Sequence, residues 1–313
     1  MKKRSFSILV ILLVLLNVSF AQDDPFAIKK NAGEISVVSG AESGSYYQIA
    51  QDIINIYDGK INLVPSKGAV NNYDMLINNP DIDIAFTQYD VLLKAKQYDY
   101  QAKTHNTDKI KVLLPLGSEE IHLLVRLDSK IYSISDLKDK KVGVGNPAKE
   151  GTYLTSGLIK SIAGINWIDY GKSFDSSFIA LIKGDIDALF FVGYAPVNKL
   201  KSLLPTYNQL IRLVPIKDER LGQFHKKSII PAGTYPWLFY NVETYSVNSF
   251  LVTNTTNEAP ADAEILEKFL LSIRDNHATL KSEGHPMWNE VDLKYNNIQW
   301  DIHPVAKKVF KLN

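Results

Sequence analysis

Small polar side chains, glycines and a helix start come together at Val37-Val38-Ser39-Gly40-Ala41-Glu42-Ser43-Gly44-Ser45-Tyr46-Tyr47, and that combination suits anion binding. The stretch reads as a strand end, a glycine-punctuated turn and the first turn of a helix. Tyr46, Ile49, Ala50, Ile53, Ile54 and Tyr57 recur at i, i+3, i+4, i+7, i+8 and i+11, one apolar stripe. A helix start presents unpaired N–H groups and a partial positive charge to whatever lies in front of it. Ser43 or Ser45 can cap this one, since a hydroxyl there accepts a first-turn N–H. Ser43, Gly44, Ser45 and Tyr46 are therefore candidate ligand-binding residues, against the plainer reading of a capped helix.

The same grammar recurs downstream. Ser66-Lys67-Gly68-Ala69-Val70-Asn71-Asn72 is a second turn into a helix and offers Ser66, Lys67 and Asn71. Gln88 follows an apolar strand, where its amide donates and accepts. A third turn, 146–153, offers Glu150, Gly151 and Thr152, with Thr155 one helical turn on; a fourth, 192–196, offers Gly193, Tyr194 and Pro196. Tyr194 can stack on a ligand or pack in a core, and a lone lysine such as Lys67 is more often a solvated surface charge.

Catalytic constellations are missing from the sequence. The histidines (His105, His122, His225, His277, His285, His303) form no HExxH pair, and there is no GxSxG, GxGxxG or P-loop. Glu119 and Glu120 precede His122, yet neighbours on a strand point to opposite faces. The reading is of a non-enzyme that needs no cofactor and no metal.

Composition sets the class. Net charge is +1, so no nucleic-acid or other polyanion partner is implied, and 45% apolar with 22% charged residues is ordinary for a folded protein. Lys2, Lys3 and Arg4 precede an apolar run, Ile8 to Leu16, and Ser19-Phe20-Ala21 offers a small–x–small cleavage site. Residues 1–21 are read as a secretory signal peptide, too short to be a membrane span. Its removal leaves 32 Lys and Arg against 34 Asp and Glu, net −2. There is no cysteine, which excludes disulfides, thiolate chemistry and a lipidated N-terminal cysteine. A protein not spanning the membrane after cleavage, and retained near its cell, is expected in a periplasm.

Short apolar strands alternate with amphipathic helices, which predicts a largely parallel sheet whose ligands bind beyond the strands' carboxyl ends. Strands are predicted at Glu34–Ser39, Lys60–Pro65 and Asp81–Phe86, then at Lys109–Leu116 and Ile121–Arg126 as two separate elements. The pattern then restarts. Gly40 lies 105 residues before Gly145, and Asp81-Ile82-Asp83 lies 104 before Asp185-Ile186-Asp187, so the chain carries two similar lobes. Residues 206–245 read as irregular, broken by Pro215, Pro231, Gly233 and Pro236, and 246–252 as a late strand returning to the first lobe. The expected division is 22–125 with 246–313 as lobe 1 and 126–245 as lobe 2, joined by a hinge near 112–126 and 246–253.

The stretches Ser39–Ala50, Ser66–Asn72, Asp83–Val91, Val142–Thr152, Gly184–Pro196, Ile230–Pro236 and Val242–Val252, in that order, make the sequence resemble the TAXI-type extracytoplasmic solute receptors of TRAP transporters. The resemblance implies an α/β, two-lobed type II periplasmic binding-protein fold closing on a small solute. It also implies TRAP permease membrane subunits, driven by an ion gradient, as partner, and some members of the family bind glutamate or related acids. One departure stands out. The family commonly has Ser-Gly-Thr-Arg at the second-lobe helix start, where this chain reads Glu150-Gly151-Thr152-Tyr153. Lys67 can supply the missing positive charge, and Glu150 can meet a ligand amino group.

The expected function is capture of a small organic acid or amino acid by lobe closure and delivery to a permease. The alternatives are a ligand-sensing module for a membrane receptor kinase and a secreted α/β enzyme.

Overall fold

Strands that feed helices at their carboxyl ends can pair only in parallel, because each helix must cross back over the sheet before the next strand begins. The computed structural model describes residues 28–312 except 29, 32, 258, 259 and 297, so the leader expected at 1–21 lies outside the described residues. The first half runs β1 (Glu34–Val38), α1 (Ser45–Ile56), β2 (Lys60–Val64), α2 (Ala69–Asn78), β3 (Ile84–Gln88) and α3 (Tyr89–Ala102). β4 (Ile110–Arg126) carries the chain into the second half. That half comprises β5 (Lys141–Gly143), α4 (Gly151–Ala163), β6 (Ile168–Tyr170), α5 (Phe174–Lys183) and β7 (Ala188–Gly193). Short helices α6 (Asn198–Lys201) and α7 (Pro205–Asn208) follow, then strands β8 (Ile211–Leu213) and β9 (Lys226–Ile230). β10 (Val242–Asn254) returns, and α8 (Pro260–Asp275), α9 (His277–Glu283) and α10 (Pro304–Phe310) close the chain.

The strands lie in the order β2-β1-β3-β10-β4-β7-β5-β6, with β8 beside β4 and β9 beside β10. Read from either end the order is the same: three parallel strands, then one antiparallel strand. This is the two-lobed, type II periplasmic binding-protein fold. Each lobe has its own interior. One core gathers residues from Ile35 to Leu116 with Phe250–Val252 and the C-terminal Trp288, Tyr295 and Val309. Two more, built around Leu123 and Leu124, cover the faces of the second lobe's sheet. Along β4 the interior changes between Leu116 and Ile121, and along β10 between Val247 and Phe250.

The repeated Asp-Ile-Asp has a definite job. Asp83 Oδ2 accepts the Ser36 N–H at 2.8 Å while its own N–H donates to the Ser36 carbonyl at 3.0 Å. Asp187 does the same to Lys141, at 2.8 Å in both bonds. A carboxylate there supplies an acceptor where the ladder has not yet begun, so both lobes start their central strand pair alike.

Three expectations change. Lys109–Leu116 and Ile121–Arg126 are one strand, β4, because Pro115 and Gly117 sit within its pairing with β10 rather than ending it: Pro115 faces Phe250. The stretch 206–245 is not all irregular; β8 and β9 lie within it, as short additions to β4 and β10. Gln88 is the last residue of β3 rather than the first beyond it, and α3 starts directly after it.

Candidate functional site

In a sheet of this topology every helix after a parallel strand starts at the same edge. Both lobes turn that edge toward each other across a cavity of about 150 Å³. Its lining includes the starts of α1 (Ser43, Gly44, Ser45, Tyr46), α2 (Lys67, Gly68, Ala69) and α4 (Glu150, Gly151, Thr152). None of these three helix starts has a side-chain cap, and none carries an acid in its first turn. Ser43 and Ser45 thus do not cap α1: its N-cap is Gly44, whose N–H returns to the Ala41 carbonyl at 2.7 Å. Each such end favours an anion by about 0.3–1 kcal/mol, more when partly buried.

Gln88, Glu119, Gly193, Tyr194, Asn198 and Lys199 belong to the polar part of the wall, and Phe174, Phe191, Val192 and Val197 to its apolar part. A groove of about 890 Å³ runs outside, lined by residues of α2, α3 and α4 among others.

Four expected residues stand outside this lining. Ser66 turns its hydroxyl into its own lobe, donating to the Ser39 carbonyl at 3.2 Å and accepting the Gly68 N–H at 3.1 Å. Asn71 spends its side-chain oxygen on the Lys67 N–H at 3.2 Å. Thr155 is fully buried and donates to Asp90 Oδ2 at 2.7 Å. Pro196 follows a cis peptide bond and is half-buried outside the lining. The remaining expected residues line the cavity, though Tyr194 does so as a packed side chain: its hydroxyl donates to the Gly117 carbonyl at 3.2 Å, and its ring meets Tyr46 edge-on. Thr152 uses its hydroxyl to hold the Val192 N–H at 3.1 Å.

Contacts between the lobes surround the cavity. The Asn71 N–H donates to the Lys149 carbonyl at 3.2 Å. Gly68, at φ +130°, brings its backbone so near Lys149 that a Cβ would stand 2.9 Å from that carbonyl oxygen. Gly151 packs on Gln88; a Cβ there would lie 1.6 Å from Gln88 Oε1. On the far side of this contact Asp90, at the start of α3, takes the Thr155 hydroxyl and, at 3.0 Å, His225 Nε2, all three buried. His225 Nδ1 has no partner, so Asp90 is that ring's sole hydrogen-bond anchor among the described residues.

The sequence reading weighed Glu119 only as an acid or base. In the structure it is 4% exposed and accepts from Gln88 Nε2 at 2.8 Å and from the Tyr46 hydroxyl. Glu120 points the other way, as strand alternation demands, and accepts the Ala195 N–H at 3.0 Å. Burial pushes Glu119 up to about 7, against the pull of its Tyr46 and Gln88 hydrogen bonds. Burial likewise raises Glu120 to about 7, against the Ala195 N–H. Burial lowers His122 to about 4; its Nε2 lies 2.7 Å from the Tyr235 hydroxyl, and it packs as a neutral ring. Burial also raises Glu150, although it accepts the Asn146 N–H at 2.9 Å.

These shifts give a signed prediction. A carboxyl raised to about 7 from its ordinary 4.5 holds a proton that the unfolded chain gives up, so its contribution is full below 4.5 and lost as pH rises through 7. His122 acts oppositely, losing stability as pH falls from 6.5 toward 4, and His285, also lowered by burial, adds to that opposition. His122 shifts as far as either carboxyl, but two carboxyls oppose it, so the chain will be on the order of 1 kcal/mol more stable at pH 5.5 than at 7.5. Urea titrations at the two values test this. The E119Q/E120Q double variant will lose the gain; a wild-type chain that is weaker at pH 5.5 would show both groups ionised in the fold.

Among the described residues no group of three or more His, Asp or Glu is placed to hold a metal ion, and no helix is long and apolar enough to cross a membrane. Among solved structures the chain is similar to an ancestral arginine-binding protein bound to arginine, at 15% identity over 82% of this chain and 95% of that one, TM-score 0.48. It is similar also to the amino acid ABC transporter substrate-binding protein AbpA from Streptococcus pneumoniae, at 12% identity over 89% and 95%, TM-score 0.48. A third is the periplasmic sulfonate-binding protein SsuA from Methylobacillus flagellatus, at 14% identity over 80% and 69%, TM-score 0.48. The family comparison reaches further into the sequence: residues 37–311 match the NMT1-like family, and the chain belongs to it.

Proposed function

We propose that this chain is a solute receptor that captures a small organic acid or amino acid between its lobes and hands it to a membrane permease. We assign the permease to the TRAP type and the receptor to its TAXI class, on the sequence resemblance set out above. The lobes in this reading are 22–125 with 246–313, and 126–245. The leader at 1–21 directs the chain to the periplasm. The reading is of binding without turnover, since the polar groups around the cavity are helix ends, amides and hydrogen-bonded carboxyls rather than a nucleophile beside its base.

One observation carries the reading: uncapped helix starts from both lobes converge on one cavity. A guest touching both walls binds the shut form better than the open form, and closure follows from that difference alone. Thermal-shift measurements with a panel of amino acids and organic acids test it. A ligand at 100 times its Kd stabilises the folded chain by about 2.7 kcal/mol, which is a rise of several degrees in Tm. A folded protein that no member of the panel stabilises would remove small acids as its cargo.

A further inference from the structure

The cavity is polarised, and its two ends call for opposite charges. At its buried end stands Glu119, which forms no ion pair among the described residues. Both hydrogen bonds it receives, from Tyr46 and Gln88, come from donors, so the arrangement suits an acceptor-only carboxylate with a lone pair still free on each oxygen. Beside it the other oxygen-bearing end of Gln88, Oε1, is buried with no hydrogen-bond partner. A carboxylate with spare lone pairs and one unpartnered amide oxygen adjoin there, in a wall whose apolar part is Phe174, Phe191, Val192 and Val197 and whose Lys199 is paired with Asp175. The outer end is the reverse. Lys67 is exposed at the rim, and Lys149 of the other lobe stands so close that the Lys67 ammonium, by hydrogen bond and by charge, lowers its pKa. Two like charges meeting across the lobes favour an anion between them.

We propose that the cavity takes a zwitterion, with its ammonium group inward on Glu119 and its carboxylate outward toward Lys67 and the helix starts. The inference rests on the receptor reading above and narrows it from organic acids at large to amine-bearing ones. Glu119 is then the specificity-determining residue: a ligand without the amine leaves a buried carboxyl facing an apolar wall, which costs as much as an unmade charged hydrogen bond.

Protons follow from the same contact. The titratable groups around Glu119 are Tyr46 on α1, Asp90 at the start of α3, Tyr194 after β7 and, on the opposite face of its own strand, Glu120, while Glu150, Lys67 and Lys199 line the same cavity. Burial, and to a smaller degree the neighbouring Glu120 and Asp90, hold part of Glu119 protonated near pH 7. An arriving ammonium favours the ionised form, so binding releases a proton into the buffer, and affinity for the amine rises with pH up to about 7.

Calorimetric titration of the wild-type chain with matched pairs tests this: L-glutamate against glutarate, L-leucine against 4-methylpentanoate, L-phenylalanine against 3-phenylpropanoate. In at least one pair the amine-bearing member will bind about 10- to 100-fold more tightly, and its enthalpy will differ between phosphate and Tris in the sense of proton release. In E119Q the preference within that pair will fall to a few-fold. Equal affinity within every pair, or no proton release by the amine-bearing member, overturns the inference and leaves a receptor for simple acids standing. Failure of both members of every pair to bind folded wild-type protein overturns the inference and the receptor reading together.

Discussion

Gly151→Ala will weaken ligand binding by about 100-fold or more, about 2.7 kcal/mol, while leaving both lobes folded. The added methyl carbon would stand 1.6 Å from Gln88 Oε1 and 3.3 Å from the Ala69 Cβ, both on the opposite lobe. Gln88 cannot simply swing aside. Its Nε2 is committed to Glu119 at 2.8 Å, and its side chain is buried. Moving it would leave a buried carboxyl without one of its donors, at a cost of about 1–3 kcal/mol. The alternative is a pair of lobes held ajar, with the cavity open to water. Neither outcome harms the second lobe itself, because alanine is a better helix former than glycine at the first turn of α4. The measurements are ligand affinity by calorimetry and the urea midpoint of the free protein. A variant that binds within threefold of wild type would show that the lobes need not meet at this point.

Asp90→Ala will cost the shut form about 2–3 kcal/mol and shift the chain toward open conformers. Among the described residues Asp90 is the only acceptor that joins Thr155 and His225 to the first lobe, and all three side chains are buried. Without it His225 keeps neither hydrogen bond, since Nδ1 already lacks one. When the lobes separate, water can reach both sides of this contact. The loss therefore falls on closure rather than on the unfolding of either lobe. Small-angle scattering of the variant will give a larger radius of gyration, and ligand will leave faster. Thr155→Val removes one bond and leaves the other, and its effect will be about 1 kcal/mol. Unchanged scattering and release in both variants would show that these three residues merely fill space.

What could be read from the chain before folding was whatever short-range rules decide. Glycine-punctuated helix starts, the repeated Asp-Ile-Asp and the alternation that separates Glu119 from Glu120 are local facts, and the coordinates display each of them. Three failures have a common cause, which is that a local signal was overruled by a distant partner. Pro115 and Gly117 look like a break but lie inside β4, because β10 pairs alongside. β9 looks irregular until β10 supplies its ladder. Thr155 resembles a cavity residue from its spacing along α4, yet its hydroxyl meets Asp90 from the other lobe. The bond from Asp90 to His225 joins residues 135 apart and leaves no mark in either neighbourhood. Phe174, Phe191 and Val197 read as ordinary core, and only the apposition of two lobes makes them a wall.

The two strands that connect the lobes, β4 and β10, lie side by side and are bonded to each other across the junction, with register shifts between Asn248 and Phe250 and between Leu251 and Val252. Such a junction flexes like a piano hinge, about one axis. A sideways slip would have to break several ladder bonds at once, each worth about 1 kcal/mol, whereas two independent loops would permit it freely. The halves must therefore meet in the same alignment on every stroke, and a permease of the kind proposed above need distinguish only two silhouettes.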